Sequence, residues 1–170
     1  MIIIRPESEE HAQGVRAVVE QAFGRPAEAR LVEQLRKKGK ASISLVAVDD
    51  GKVVGHVLFS PVILGEATGG LSVLGLGPVA VLPGHQRQGI GTRLIRAGLE
   101  ECRQLGAKAV VVLGDPHYYE RFGFQPARRF GIRFQDENVP ADDFMVIELY
   151  RGILEGRGGV AHYEPEFNEV

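Results

Sequence analysis

Hydrophobic and polar positions follow two different periods along the N-terminal part of the chain, and each period predicts one kind of element. Met1 to Arg5 predicts a strand, whereas Glu9 to Phe23 and Glu28 to Lys37 carry the helical period. Gly24 to Pro26 breaks the first helix, and Gly39 ends the second. The pattern therefore predicts one strand followed by two helices.

The middle of the chain predicts strands. Ser44 to Val48 and Lys52 to Ser60 flank Asp49-Asp50-Gly51, which is a hairpin signal. A further antiparallel run extends from Leu71 to Leu82 and contains Pro78. Because proline donates no ladder hydrogen bond, its presence predicts a bulge or a local splay of that strand.

The segment from Val79 to Gly91 predicts a strand, a turn at Pro83-Gly84 and a glycine-rich loop that opens into a helix. The helix is predicted over Thr92 to Leu105, with one apolar face and one polar face. The predicted inward positions are Leu94, Ile95, Gly98, Leu99, Cys102 and Leu105, and the outward ones are Arg93, Arg96, Arg103 and Gln104.

This loop has the properties of an anion site. The first turn of a helix leaves backbone N–H groups without intrahelical partners, and the helix dipole adds positive charge there. Gly89 and Gly91 lack a Cβ, so a polyanion can approach the backbone and either residue can adopt positive φ. The loop therefore predicts a pyrophosphate site.

A second strand–helix unit follows the loop. Ala109 to Leu113 is strongly β-prone, Asp115 suits a helix N-cap, and Pro116 suits the first helical position. An aromatic segment, Tyr118 to Phe124, comes next. Two last strands are predicted at Arg129–Phe134 and Phe144–Tyr150.

Length and composition favour one domain of residues 1–150, followed by an extension of residues 151–170 that either packs on a sheet edge or is flexible. The chain has 170 residues and a net charge of −2, which argues against a general nucleic-acid binder. No stretch approaches the length of a membrane span or a signal peptide. A single cysteine excludes an internal disulfide, so we expect a cytoplasmic protein, either a monomer or a homodimer.

Two motifs carry a resemblance to a known family. The spacing Gln86-x-x-Gly89-x-Gly91 resembles the pyrophosphate loop of GNAT-type N-acetyltransferases, and Tyr119-Glu120-x-x-Gly123-Phe124 resembles the segment that closes their catalytic helix. Leu113 to Pro116 and the tyrosine pair resemble a bacterial subgroup of that family. The resemblance implies an α/β fold: a mixed, mostly antiparallel sheet flanked by helices, in which the Leu71–Leu82 and Ala109–Leu113 strands are a parallel pair splayed at a bulge.

The resemblance implies transfer of an acetyl group from acetyl-CoA to a primary amine, by direct attack in a ternary complex and without a metal. The pantetheine arm is expected to pair with the main chain of Val79 and Val81. The expected pyrophosphate contacts are Gln86, Arg87, Gln88, Gly89, Ile90, Gly91 and Thr92.

Tyr119 is the expected general acid for the leaving thiolate, with the adjacent Tyr118 as its rival. The family position for an acidic base is empty within Leu71–Leu82. The candidate bases are His56, His85, His117 or a water relay.

Cys102 is too far along the helix, about 16 Å beyond Gly91, to carry the acetyl group. The acceptor is not identified. Asp136, Glu137, Asp142 and Asp143 lie between the last two strands, where they would attract a cationic amine or form an ordinary solvated loop. Two other functions remain open: a module that binds acyl-CoA without catalysis, and transfer of a longer acyl group.

Overall fold

A computed structural model describes residues 1–65 and 71–170. Within those ranges the strands and α-helices are, in chain order, β1 (Ile2–Pro6), α1 (Ala12–Phe23), α2 (Ala27–Lys37), β2 (Ile43–Asp49), β3 (Lys52–Leu64), β4 (Val73–Val81), α3 (Ile90–Gln104), β5 (Ala109–Leu113), α4 (Pro116–Tyr119), β6 (Gln125–Pro126), β7 (Ile132–Phe134), β8 (Phe144–Glu148) and β9 (Gly159–Tyr163).

The chain forms two compact units, which we call the loop unit and the aromatic unit. The loop unit comprises Met1–Ser60, Gly77–Glu101 and Pro165–Val170, and the aromatic unit comprises Pro61–Leu76 and Cys102–Glu164. Residues 1–150, predicted as one domain, thus contribute to both units.

The strands of the loop unit are antiparallel. β1 pairs with β2, and β2 pairs with β3, with Val46 opposite His56. Asp50 and Gly51 join β2 to β3 with φ values of 51° and 81°, which is the pair of left-handed residues that a two-residue hairpin turn requires. The predicted hairpin is therefore confirmed.

The helices of the loop unit bury the faces that their periodicity indicates. Val15, Val18 and Val19 of α1 are almost fully buried. α1 ends at Gly24 with φ 70°, and a short 3₁₀ turn, Glu9–His11, replaces its predicted first turn. The predicted breaker is thus confirmed, whereas Phe23, an apolar position at the end of the helical period, is 41% exposed.

Helix α3 starts two residues earlier than predicted, at Ile90, and ends at Gln104. Leu94 and Ile95 are fully buried, as predicted. The inward prediction for Leu105 is wrong, because its side chain is 62% exposed. The helix has already ended there, and the turn that follows, at Gly106 with φ 90°, removes Leu105 from the helical period.

The aromatic unit contains a mixed set of strands. β5 pairs in parallel with β4 and antiparallel with β8, and β8 also pairs with β6. β9 pairs antiparallel with the end of β3 and in parallel with β7. An apolar core of valines, alanines and large residues such as Phe144 and Leu154 lies against these strands.

The pairing of β4 with β5 ends where the sequence predicts a splay. The parallel register runs from Val73 opposite Ala109 to Leu76 opposite Val112. The next residues of β4 are Gly77 and Pro78, joined by a cis peptide bond. The interrupted parallel pair of the predicted fold class is therefore confirmed.

One expectation about the C-terminal part needs correction. A 3₁₀ turn at Ala127–Phe130 replaces the first half of the predicted Arg129–Phe134 strand, because Gly131 takes φ 71° and leaves only β7 extended. Residues 151–170 contain the paired strand β9. They end in a 3₁₀ helix, Pro165–Glu169, whose Glu166 accepts hydrogen bonds from Lys38 and Lys40 at 2.9 and 3.0 Å.

Candidate active site

The backbone of the glycine loop has the geometry of an anion site. Arg87 and Gly89 have φ values of 62° and 83°, and left-handed residues in such loops turn successive N–H groups toward one side. No heavy atom outside its chain neighbours lies within 4 Å of the position that a Gly89 Cβ would take. The first hydrogen bond of α3 is Arg93 N–H to Gly89 O at 3.0 Å, so the preceding backbone lies at the positive end of the helix dipole.

The side chains of the loop have different environments. Arg87 and Gln88 are exposed, whereas Ile90 is 2% exposed and packs against Gly55. The Gln86 amide donates to Val81 O at 3.0 Å, so this side chain ties the loop to the end of β4. The predicted site residues Val79, Gly91 and Thr92 are half-buried.

The second predicted motif forms a compact aromatic cluster of Tyr118, Tyr119, Phe122 and Phe124. Asp115 caps α4 by accepting the His117 N–H at 3.0 Å, which confirms the predicted N-cap. The Tyr119 ring packs edge-on against Phe124, with 5.8 Å between ring centroids. It also lies against Gly114, where a Cβ would be 2.4 Å from the Tyr119 Cε2. The Tyr119 ring can therefore take this position only because residue 114 has no Cβ.

The two adjacent tyrosines differ in their surroundings. Burial, followed by the neighbouring Tyr118, raises the pKa of Tyr119 to about 12. A phenol with that pKa remains protonated at neutral pH. Tyr118 instead stacks under the Arg121 guanidinium, which lies 4.4 Å from its ring centroid.

His56, one of the candidate bases, is enclosed in a polar network within the loop unit. Its side chain is fully buried, and its Nε2 lies 2.8 Å from Ser44 Oγ, which donates to Glu7 Oε1 at 2.5 Å. Arg36 forms an ion pair with Glu7. Burial lowers the pKa of His56, which favours the neutral ring. Burial acts in the opposite sense on Glu7, but the neighbouring His56, the hydrogen bond from Ser44 and the charge of Arg36 prevail and lower its pKa to about 2.

The other two candidate histidines are more accessible. His85 lies between the end of β4 and the glycine loop, and its Nε2 is 3.8 Å from Asp49 Oδ2. The His117 side chain is 94% exposed on α4, with Nδ1 3.8 Å from Glu120 Oε1. Each has solvent within reach, unlike His56.

The acidic segment between β7 and β8 lines a pocket of about 240 Å³ in the aromatic unit. Asp136 and Glu137 lie at this pocket together with Phe134 and Phe144. Asp142 forms an ion pair with Arg128 at 2.9 Å.

Over residues 1–65 and 71–170, no group of three or more histidine, cysteine, aspartate or glutamate side chains is arranged to hold a metal ion. No helix in this described part of the chain has the length and apolar character needed to cross a membrane.

Comparison with known proteins decides the family. The profile of an acetyltransferase (GNAT) domain matches residues 3–127. The chain belongs to the GNAT acetyltransferase family. This GNAT chain is 38% identical over 169 residues to the uncharacterized N-acetyltransferase YhbS of Escherichia coli K12, which covers 98% of this chain and 99% of YhbS. It is also 43% identical over 118 residues to the uncharacterized E. coli N-acetyltransferase YjhQ, across 68% of this chain and 65% of YjhQ.

Solved structures confirm the GNAT fold predicted for the chain. E. coli YhbS in complex with CoA superposes with a TM-score of 0.93 at 37% identity, covering 98% of this chain and 92% of that one. A GNAT acetyltransferase from Brucella melitensis in complex with acetyl-CoA gives a TM-score of 0.82 at 37% identity, covering 98% of both chains. The bacterial subgroup indicated by the tyrosine segment is consistent with these relatives.

The sequence reasoning missed one aromatic residue of the aromatic unit, Tyr163 on β9. Its ring packs edge-on against Phe134 at 5.6 Å and covers Gly75 of β4. A glycine within a strand often marks the close approach of another group. Gly75 was therefore the available signal, although it does not say which residue approaches.

Proposed function

We propose that this GNAT protein transfers an acetyl group from acetyl-CoA to a primary amine by direct attack in a ternary complex. The observation that carries the proposal is the backbone of the glycine loop, with left-handed Arg87 and Gly89 ahead of α3. Two relatives that match nearly the whole chain have been solved with a ligand: E. coli YhbS with CoA, and the Brucella protein with acetyl-CoA.

In this proposal the loop binds the pyrophosphate through its backbone. The N–H groups from Gln88 to Thr92 contact the phosphate oxygens, and the exposed Arg87 adds a charge-assisted hydrogen bond. One N–H of the Gln86 amide donates to Val81 O, and its second N–H contacts a phosphate oxygen. The main chain of Val79 and Val81 pairs with the pantetheine arm.

Tyr119 is the proposed general acid. Acetyl-CoA supplies a thioester, whose thiolate requires a proton as the C–S bond breaks. A phenol with a pKa of about 12 retains its proton at neutral pH, so Tyr119 is in the protonated form that can donate to the leaving sulfur. The contacts of Tyr119 with Gly114 and Phe124 support this role, because they fix its ring in one position.

We propose that His85, His117 or a water chain removes the proton from the acceptor amine. His56 is not favoured, because it is fully buried and hydrogen-bonded to Ser44. Cys102 is also fully buried, which supports direct transfer rather than an acetyl-cysteine intermediate. Because the sequence has a single cysteine and therefore no internal disulfide, we further propose that the protein is cytoplasmic.

The decisive experiment measures thiol release from acetyl-CoA across a panel of aliphatic and aromatic primary amines. We expect amine-dependent release, and we expect Tyr119→Phe to lower kcat by about 100-fold with little change in the KM for acetyl-CoA. Tyr150→Phe is the matched control, because Tyr150 is exposed in the same unit. Thermal stabilisation by acetyl-CoA without thiol release would instead show a binding module, and wild-type turnover of Tyr119→Phe would refute the assigned acid.

A further inference from the structure

Strand β3 of the loop unit carries an extra residue, Val54, in its pairing with β2. Gly55 lies opposite Ala47 and Val53 lies opposite Val48, so the register shifts by one residue at this point. In a regular strand Val53 and Gly55 would face the same side of the sheet. The β-bulge re-aims them, so that Gly55 faces α3 whereas Val53 faces α1.

This bulge contacts both segments that are proposed to hold acetyl-CoA. The Val54 carbonyl accepts the Leu82 N–H at 2.9 Å, which ties β3 to the end of the strand proposed for the pantetheine arm. Gly55 lies under the start of α3, where its Cβ would be 3.1 Å from Ile90 Cγ2 and 3.0 Å from Leu94 Cδ1. Two consecutive residues of β3 thus anchor the pantetheine strand and the helix that follows the pyrophosphate loop.

No free space surrounds the position of the missing Gly55 side chain. On a third side the Ala47 Cβ lies 3.3 Å from that position. Ala47, Ile90 and Leu94 are all buried, so none of them can turn into solvent. Carbon atoms pack best at about 3.5–4.0 Å, so a methyl group at residue 55 would push the first turn of α3 away from β3 by about half an ångström.

A second close contact holds the middle of α3 on the same strand. Gly98 lies against the ring of Phe59, four residues beyond Gly55 on β3. The Phe59 ring is fully buried. Because this contact prevents the helix from sliding along β3, a displacement at Gly55 is confined to the end of α3 that carries the glycine loop.

We propose that Gly55 is a positioning residue for acetyl-CoA, which sets the distance between the pyrophosphate loop and the strand that pairs with the pantetheine arm. This inference rests on the proposed function. Acetyl-CoA carries the pyrophosphate and the pantetheine in one molecule, so it gains affinity from both segments only where their separation matches its own. The absence of a Cβ at residue 55 gives the first turn of α3 that separation.

The test compares acetyl-CoA with its two halves in Gly55→Ala. S-acetylpantetheine is a donor without the pyrophosphate, and 3′-phosphoadenosine 5′-diphosphate is an inhibitor without the pantetheine arm. We expect the KM for acetyl-CoA to rise about tenfold at nearly unchanged kcat, because the spacing alone is altered. Each half contacts one segment only, so kcat/KM for S-acetylpantetheine and the inhibition constant of the nucleotide half should stay within about twofold of wild type.

Gly14→Ala is the matched control, because it overpacks the same strand from the side of α1. Its methyl group would lie 2.8 Å from Val53 Cγ2, so the melting temperature should fall while the KM for acetyl-CoA stays at the wild-type value. Leu94→Val in the Gly55→Ala background removes the Cδ1 that the new methyl meets. This double variant should recover most of the acetyl-CoA affinity.

Equal losses of acetyl-CoA and of the nucleotide half in Gly55→Ala would show that Gly55 only maintains the fold of the loop, and would overturn the inference. An unchanged KM in Gly55→Ala, an equal rise in Gly14→Ala, or no recovery with Leu94→Val would overturn it as well. Absence of thiol release from acetyl-CoA in the wild-type protein would instead overturn the proposed function.

Discussion

The glycine loop and the aromatic cluster differ in the groups that form them, which are backbone groups in the loop and side chains in the cluster. The loop Gln86–Thr92 is made of consecutive residues, and the recognition groups proposed for it are backbone N–H groups oriented by left-handed Arg87 and Gly89. The cluster around Tyr119 is made of packed side chains, and the Tyr119 ring rests against Gly114. A backbone site depends on local conformation, whereas a side-chain site depends on packing between elements. We therefore expect substitutions in the loop to lower acetyl-CoA affinity, and substitutions in the cluster to lower turnover and stability.

The largest effect is expected from Gly89→Glu in the loop. The new side chain would occupy open space, and its carboxylate would repel phosphate. We expect acetyl-CoA affinity to fall by at least about 100-fold, because several charge-assisted hydrogen bonds are lost together. Thermal stabilisation by acetyl-CoA measures this directly.

Gly24→Glu is the matched control for this substitution. Gly24 also has a positive φ of 70°, and nothing lies within 4 Å of its Cβ position. Both variants incur the same kind of backbone strain, but Gly24 caps α1 rather than α3. If both lose stabilisation equally, or if Gly89→Glu retains it, the pyrophosphate role of the loop is excluded.

The next effect is expected from Gly114→Ala in the aromatic unit. A methyl group there would lie 2.4 Å from the Tyr119 Cε2, so the ring must move. Overpacking of this kind costs about 1–3 kcal/mol of unfolding free energy. We also expect turnover to fall while acetyl-CoA stabilisation persists.

Gly84→Ala provides the comparison for Gly114→Ala. It adds the same methyl group at a position where nothing lies within 4 Å. Urea unfolding and thiol release should both remain close to wild type in that variant. Loss of acetyl-CoA stabilisation in Gly114→Ala would contradict the expected separation of cofactor binding from the aromatic cluster.

The same contrast explains what the sequence could predict. The loop motif and the Asp115 cap are local, so short spacing rules locate them. Tyr163 was missed because its contacts with Gly75 and Phe134 join residues far apart in the chain, and no local pattern encodes such packing. Strand β9 was not predicted, because the stretch after residue 150 is rich in glycine and glutamate. This strand is stabilised by its pairing partners rather than by its composition.

Tertiary contacts also bear on two of the predicted site residues. The Gln86 amide donates to Val81 O through one of its two N–H groups. His56 has a suitable ordinary pKa for a base, but it is buried against Ser44, and burial lowers its pKa. The residue types are visible in the sequence, whereas these partners are supplied only by the fold.

A pH experiment compares the buried carboxylate of Glu7 in the loop unit with an exposed carboxylate of the aromatic unit. Glu7 has a pKa of about 2 in the folded protein against 4.5 for an ordinary glutamate, so its stabilisation is present above pH 4.5 and is lost as the pH falls toward 2. The difference in unfolding free energy between wild type and Glu7→Gln should shrink by about 2 kcal/mol from pH 6 to pH 3.

Urea unfolding at the two pH values measures that difference. Glu137→Gln, which replaces an exposed carboxylate of the aromatic unit, is the control for general acid effects. A difference between wild type and Glu7→Gln that stays constant from pH 6 to pH 3 would show that the Glu7, Ser44 and His56 network does not hold the carboxylate in its charged form.

The smallest effect is expected from Arg87→Gly, which separates the charge of the loop from its shape. Glycine accepts the φ of 62° without strain, so the backbone should keep its conformation. Only the guanidinium is lost, and we expect the KM for acetyl-CoA to rise about tenfold, with a weaker dependence on salt. Arg87→Lys should recover most of the affinity if charge alone matters, less the cost of placing a side chain at positive φ. A KM unchanged in Arg87→Gly would show that the backbone carries the whole of the phosphate recognition, which would make the contrast with the side-chain-built aromatic cluster sharper still.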